Sequence, residues 1–334
     1  MPRNILLCIL SGLAIVLSAP AVTQTFDTDV PQPSVVQPLV RKDVLRYDIY
    51  ADFAREPITD YCCEVGIQFV ALMDLDTVYF DLLENTVDSV LIGSTTTSFI
   101  QTEEALLIFP DEIVAGDTVQ TMVFYRGEYP SDAIKYGLDL DGAGAAYSLF
   151  WPSLARLFYP CVDHPLDKAK SSVTLRPTGI TTVVSNGQPE STYVPIDDPT
   201  ELVHVWSNNH QICTYNICFS FSDNYGRMDT SFSLPSGELP IRHFFPTDWE
   251  ARTRSAFDDL PNMITLYDTL FGDFPFDNYG MYVSPFRAGA MEHQSMVMMG
   301  EFVLEDPASY QTMIAHELSH QWWGDAVGLA DWRD

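Results

Sequence analysis

The stretch "HELSHQWWGD", residues 316–325, places two histidines four positions apart with a glutamate directly after the first. On an α-helix, His316 and His320 lie on one face with Cβ atoms about 5–6 Å apart, so both imidazoles can bind one metal ion. Glu317 is placed to take a proton from water rather than to bind the metal. This spacing on a helix is typical of zinc hydrolases. It predicts zinc as the cofactor, His316 and His320 as metal ligands and Glu317 as the catalytic base.

Signals for a helix surround this motif. Asp306 is a suitable N-cap and Pro307 suits the first helical position, so we predict a helix over 307–327. The alternative is a solvent-facing helix whose histidines have no function. Trp322 and Trp323 argue against it, because consecutive tryptophans are unusual on a fully solvated face.

The sequence pattern before this helix changes near residue 223, from one typical of strands to one typical of helices. Residues 41–223 consist of short segments rich in β-branched and aromatic residues, separated by Gly, Pro, Asp and Asn. Residues 247–272 instead carry apolar side chains at helical spacing, and Pro261 should kink or divide that helix. We therefore predict an α+β fold, with a large antiparallel N-terminal β-domain over 41–223 and a second domain over 224–334.

The N-terminus has the features of a secretory signal. An apolar run from residue 5 to residue 17 follows one arginine and precedes small residues, which predicts a signal peptide over 1–21 and a leader over 22–40. The run is shorter than the roughly 20 residues of a membrane-spanning helix. We expect export to the periplasm or the cell exterior, with no membrane span after cleavage; an uncleaved N-terminal anchor is the alternative.

Composition limits the partners and the redox chemistry. The 46 acidic residues outnumber 17 basic ones, and a formal charge of -29 would repel a phosphate backbone, so nucleic acid is not an expected partner. Five cysteines remain after the signal, an odd number without a CxxC spacing. This favours buried free thiols, although one disulfide remains open.

Four segments resemble the zinc aminopeptidases of the aminopeptidase N and leukotriene hydrolase family, a gluzincin group. They occur in the family's order over the second half of the chain: "ARLFYPCVDHPLDKAK" (155–170), "TYNICFSFSD" (214–223), "GAMEH" (289–293) and "HELSHQWWGDAVGLADWRD" (316–334). The resemblance implies a saddle-like β-domain that leads into the first part of a thermolysin-like catalytic domain.

The resemblance also implies roles for single residues. Glu292 would bind the free α-amino group of a peptide substrate, and Gly289 and Ala290 would lie along the substrate backbone. The family's third zinc ligand, a glutamate 19 residues after the second histidine, would fall five residues beyond Asp334. We therefore expect the catalytic domain to be incomplete in this chain.

Three positions depart from the family pattern. His293 replaces the asparagine of the Gly-x-Met-Glu-Asn segment, and His164 replaces the glutamate of Asp-Glu-Pro. Trp151 occupies the position of a second amine-binding residue, so amine binding would rest on Glu292 alone.

Together these patterns predict an exported zinc metallopeptidase, an aminopeptidase that hydrolyses N-terminal residues from peptides. Two alternatives remain open: an inactive or weak fragment that acts as a peptide-binding module, and an endopeptidase.

Overall fold

The computed structural model describes residues 41–53, 60–128, 137–140, 145–286 and 289–332. The predicted signal peptide and leader lie outside these residues, and so do Arg287 and Ala288 next to the "GAMEH" segment. Within the described ranges, every helix is too short or too polar to cross a membrane.

The first part of the described chain is built from short strands. In chain order they are β1 Lys42–Phe53, β2 Asp60–Ala71, β3 Val78–Asp81, β4 Thr86–Ile92, β5 Thr95–Thr96, β6 Ser98–Gln101, β7 Ala105–Phe109, β8 Thr118–Glu128, β9 Leu138–Leu140, β10 Ala146–Ser148, β11 Lys168–Pro177, β12 Val183–Ser185, β13 Gln188–Tyr193, β14 Val203–Cys213 and β15 Phe219–Phe221. Two 3₁₀ turns interrupt them, Ala155–Leu157 and Thr214–Asn216.

These strands form three sheets. The largest has eight strands in the order β13-β14-β11-β1-β2-β8-β4-β5; the others are β12-β15-β10-β9 and β3-β7-β6. Pairing is antiparallel except between β1 and β11, which run parallel with Ile49 opposite Val173. Alternate side chains of β2 face the core, including Val65, Ile67 and Phe69, all fully buried. The predicted β-rich architecture is confirmed, with one parallel pair that the strand patterns did not reveal.

The second part combines one sheet with helices. Its strands are β16 Tyr225–Leu234, β17 Gly237–Pro246, β18 Tyr279–Ser284, β19 Ala290–Met291 and β20 Val297–Gly300, in the order β16-β17-β18-β20-β19. After a 3₁₀ turn, Thr247–Trp249, the helices are α1 Glu250–Ala256, α2 Leu260–Phe271, α3 Phe302–Glu305 and α4 Gln311–His320. The predicted division near Pro261 is confirmed, because α1 ends at Ala256 and the proline lies in the first turn of α2. The predicted domain boundary at 223 falls between β15 and β16.

The prediction for the last helix was wrong at both ends. Residues 306–310 form successive turns, with the amide of Tyr310 donating to the carbonyl of Pro307, and α4 begins only at Gln311. The ring of Tyr310 packs edge-on against Phe302, 5.0 Å between centroids, so a tertiary contact holds the chain in a turn where Pro307 alone would allow a helix. The helix ends at His320 rather than continuing to 327.

The five-stranded sheet lies between two apolar cores. On β17 the neighbours Phe244 and Phe245 point to opposite faces, the first into the core of the β-domain and the second into the core under the helices. On β18, Tyr282 joins the β-domain core while Met281 joins the helical core. A strand buried on both faces reads as a continuous apolar run, as "YGMYVS" does.

The cysteine prediction is largely confirmed. None of the five cysteines in the described part of the chain forms a disulfide; Cys63, Cys161, Cys213 and Cys218 are buried and Cys62 is partly exposed.

Candidate metal centre

The two motif histidines lie on α4 with their ring nitrogens facing each other. Nε2 of His316 and Nε2 of His320 are 3.2 Å apart, and the rings are nearly perpendicular at 87°. Partial desolvation, and then the neighbouring His320, lower the pKa of His316. Its ring is therefore neutral at pH 7, as metal binding requires.

The turn that follows α4 sets the orientation of His320. Its Nδ1 lies 2.9 Å from the carbonyl oxygen of Trp323, which can only accept, so Nδ1 carries the hydrogen. In the neutral ring the lone pair is then on Nε2, the atom that faces His316. Gly324 permits this approach: its φ is +126°, and a Cβ there would lie 3.1 Å from Nδ1 of His320.

Glu317 is buried on α4 beside His320 and Glu292. It is 6% exposed, and its Oε2 has no hydrogen-bond partner among the described residues. Burial, and then the neighbouring Glu292, raise the pKa of Glu317 well above the usual range of a glutamate. Ligand atoms of Glu292, Glu317 and His320 all lie within 4.8 Å of one another. The fold thus brings the predicted base and the predicted amine-binding residue to one point.

Glu292 directly follows β19, the last strand of its sheet in the described chain. Ala290 and Met291 pair with β20 on one side, and Gly289 precedes them. No strand of the described chain pairs with the other side of β19, and an unpaired edge is where an extended peptide can add as a strand. The structure therefore leaves Gly289 and Ala290 at a sheet edge, with Glu292 at its end.

A buried carboxylate without a predicted role adjoins this cluster. Asp325 is 1% exposed, and its Oδ1 accepts a 2.6 Å hydrogen bond from Nδ2 of Asn216, a β-domain residue. Its Oδ2 has no hydrogen-bond partner within the described ranges. Burial and then Glu292 raise the pKa of Asp325. Sequence reasoning missed this pair, since spacing alone does not connect positions more than a hundred residues apart.

The positions that depart from the family pattern have separate environments. His293 is fully buried, stacks parallel to Tyr282 at 6.2 Å, and burial lowers its pKa to about 3. His164 accepts a hydrogen bond from the amide of Leu166 through Nδ1. Trp151 is 41% exposed. Neither His293 nor His164 belongs to the group that Glu292, Glu317 and His320 form in the described chain.

The donor set fits zinc. Two imidazole nitrogens bound at about 2.0–2.1 Å to one tetrahedral zinc would stand about 3.3 Å apart, close to the 3.2 Å between the facing Nε2 atoms. The unpartnered buried oxygen of Glu317 adds a proton acceptor beside them.

The C-terminal part of the chain matches a known protein family. Residues 255–334 match the model of the peptidase family M1 domain. The predicted resemblance is confirmed. Aminopeptidase N of Bos taurus is 29% identical over 234 residues, which cover 63% of this chain and 22% of that protein. Probable aminopeptidase 1 of Saccharolobus solfataricus is 26% identical over 223 residues, 63% of this chain and 27% of its own length.

Solved M1 structures share the fold. The M1 zinc metallopeptidase of Deinococcus radiodurans superposes with a TM-score of 0.77 at 23% identity, covering 88% of this chain and 67% of that one. A mutant of the same enzyme bound to a Tyr-Ser-Ala substrate gives a TM-score of 0.78 at the same identity and coverage. Both structures are zinc metallopeptidases by name. The chain spans about a fifth to a quarter of the length of the two aminopeptidases. The similarity to the solved M1 structures confirms the predicted α+β fold.

Proposed function

We propose that this chain carries the β-domain and the metal-binding helix of an exported zinc aminopeptidase that removes N-terminal residues from peptides. The observation that supports this most is the convergence of Glu292, Glu317 and His320 within 4.8 Å, with His316 facing His320. A metal-ligand pair, a proton acceptor and an anionic group for an ammonium ion thus occupy one site at a sheet edge.

His316 and His320 would hold zinc through Nε2. Bound zinc supplies Lewis acidity, which polarises a carbonyl and makes water easier to deprotonate. Glu317 accepts the proton of the attacking water and passes it to the leaving amine. Burial, and then Glu292, raise the pKa of Glu317, which favours its holding the proton that it donates to the leaving amine.

Glu292 would bind the free α-amino group of the substrate. A partly buried carboxylate can make a charge-assisted hydrogen bond with an ammonium ion, and because Glu292 lies close to Glu317, the first peptide bond would then lie beside the base.

Turnover of aminoacyl anilides by the zinc-loaded chain tests the proposal. We expect Glu317→Gln to lower kcat by about 10²–10⁴-fold, since it removes the base without changing the shape of the side chain. The matched control, Glu305→Gln, makes the same change at an exposed glutamate of α3 and should leave kcat unchanged.

Three outcomes would overturn parts of this reading. Equal rates on N-terminally blocked and free peptides would indicate an endopeptidase. Tight binding of peptides without turnover or zinc would indicate a binding module. An intact N-terminus on protein recovered from the producing cell would contradict export through cleavage after residue 21.

A further inference from the structure

The turn after α4 closes around the ring of His320 through backbone groups. The carbonyl of Trp323 accepts from Nδ1 of His320, and the amide of Asp325 donates to the carbonyl of His320 at 3.0 Å. The amide of Gly324 donates to the carbonyl of Val327 at 2.8 Å. The direction of the imidazole therefore depends on where this turn lies.

Two side chains of the β-domain hold the turn from outside. Nδ2 of Asn216, in the 3₁₀ turn Thr214–Asn216, donates to Oδ1 of Asp325 at 2.6 Å, and both residues are buried. Nζ of Lys168, the first residue of β11, donates to the carbonyl oxygen of Asp325 and, at 3.3 Å, to that of Ala326. A cation at the carbonyls that follow a helix is favourable for both charge and hydrogen bonding.

The end of the lysine side chain lies against Gly328, shortly after the turn. A Cβ at Gly328 would lie 2.5 Å from Cε of Lys168, so the stem of the lysine packs against the glycine. Asp325 has few other anchors, since its Oδ2 lacks a hydrogen-bond partner within the described chain. Without Asn216, the carboxylate would be left buried next to Glu292 and Glu317 and would tend to leave its place.

We propose that Asn216 and Lys168 are positioning residues for the metal ligand His320, acting through the turn 323–326. The β-domain is then part of the metal centre, since it fixes the carbonyl that selects the tautomer and direction of His320. The zinc-affinity test of this inference rests on the proposed function. The test of the His320 tautomer uses the metal-free protein and does not.

Nitrogen NMR of the metal-free chain tests the orientation directly. In the native protein we expect the neutral ring of His320 to carry its hydrogen on Nδ1. Asn216→Ala should produce a mixture of tautomers, because the Trp323 carbonyl is no longer held. The matched control, Asn208→Ala, removes another buried asparagine of the β-domain, on β14, and should leave the tautomer of His320 unchanged.

Zinc affinity, measured by competition with a chelator, gives the second readout. Loss of a group that orients a ligand typically weakens metal binding about 10–100-fold, and we expect this for Asn216→Ala and Lys168→Met. Gly328→Ala should act in the same direction without altering the lysine itself. The reversed pair, Asn216→Asp with Asp325→Asn, restores an amide-to-carboxylate bond and should recover most of the affinity that Asn216→Asp alone loses.

The outcomes separate the two proposals. If the native chain binds no zinc, the proposed function fails, while the tautomer of His320 in Asn216→Ala still decides the positioning role. If the native chain binds zinc and folded Asn216→Ala keeps both its affinity and the Nδ1 tautomer, the positioning role is overturned. If Asn216→Ala fails to fold, the reversed pair decides the positioning role: recovered zinc affinity supports it, and affinity that stays as low as in Asn216→Asp alone overturns it.

Discussion

The ring of His320 is oriented by one backbone carbonyl and one glycine. The spacing of "HELSH" predicts that His316 and His320 share a face, and the structure places their Nε2 atoms 3.2 Å apart. Which nitrogen faces the partner histidine is decided by the Trp323 carbonyl, which reaches Nδ1 only because Gly324 has no side chain. At this scale the sequence predicts the residues and the turn decides their direction.

Gly324→Ala should weaken zinc binding as well as stability. The φ of +126° strains any L side chain by about 1–3 kcal/mol, and the added Cβ would press on Nδ1 of His320. Gly272→Ala is the control, since Gly272 has a φ of +97° but open space around its Cβ position. We expect both variants to unfold at lower denaturant concentration and only Gly324→Ala to lose zinc affinity. Equal zinc affinities in the two variants would contradict the steric role.

His243 should make the protein sensitive to acid. Burial against Phe257 lowers its pKa from 6.5 to about 3, so between these values the unfolded chain binds a proton that the native state does not. Stability therefore falls as the pH drops below 6.5, by up to about 1.4 kcal/mol per pH unit for this group.

His243→Phe should remove that part of the pH dependence while keeping a ring stacked on Phe257. Urea unfolding at pH 4.5 and pH 7.5 measures it: the variant should lose less stability on acidification than the native protein. Near pH 7.5, where the histidine is neutral in both states, the two proteins should differ by about 1 kcal/mol or less. Parallel pH profiles would show that His243 does not titrate on unfolding.

At the scale of elements, Trp322 packs the end of α4 against the end of α2. Trp322 is 6% exposed, donates from Nε1 to the carbonyl of Gly272 at 3.0 Å, and packs edge-on against Phe274 at 5.2 Å. Trp323 is 54% exposed and reaches only the ring of Phe271 among the described aromatic contacts. The two tryptophans were expected to argue against a solvated helix face. Trp322 is buried, as this argument expects, whereas Trp323 is exposed in the turn that follows the helix.

Alanine substitution at each tryptophan separates the two positions. Trp322→Ala should lower the free energy of unfolding by about 3–5 kcal/mol, since it empties a packed site and leaves a carbonyl without its donor. Trp323→Ala should cost about 1 kcal/mol or less. Chemical denaturation measures both. Similar losses at the two positions would mean that α4 is not fastened to α2 through Trp322.

Charge acts at the scale of the whole molecule. With 46 acidic against 17 basic residues, the negative charges of the folded chain repel one another. At 0.1 M salt, dissolved ions screen this repulsion beyond about 10 Å. We expect Tm at pH 7.5 to rise by roughly 3 °C or more between 0.02 and 0.5 M NaCl. At pH 5, where more carboxylates are protonated, the rise should be smaller; an equal rise at both pH values would point to a cause other than net charge.

The sequence by itself predicted a metallopeptidase chemistry and determined the fold class of this protein. Residue type and spacing are enough to identify a metal-binding helix, and strand patterns are enough to predict an α+β fold, because both depend on local periodicity. Only the tertiary structure decided that Tyr310 delays the last helix, that Glu292 meets Glu317, and that Asn216 meets Asp325. The contact of Asn216 with Asp325 joins residues more than a hundred positions apart, and it ties the β-domain to the turn after α4, a relation that no local pattern contains.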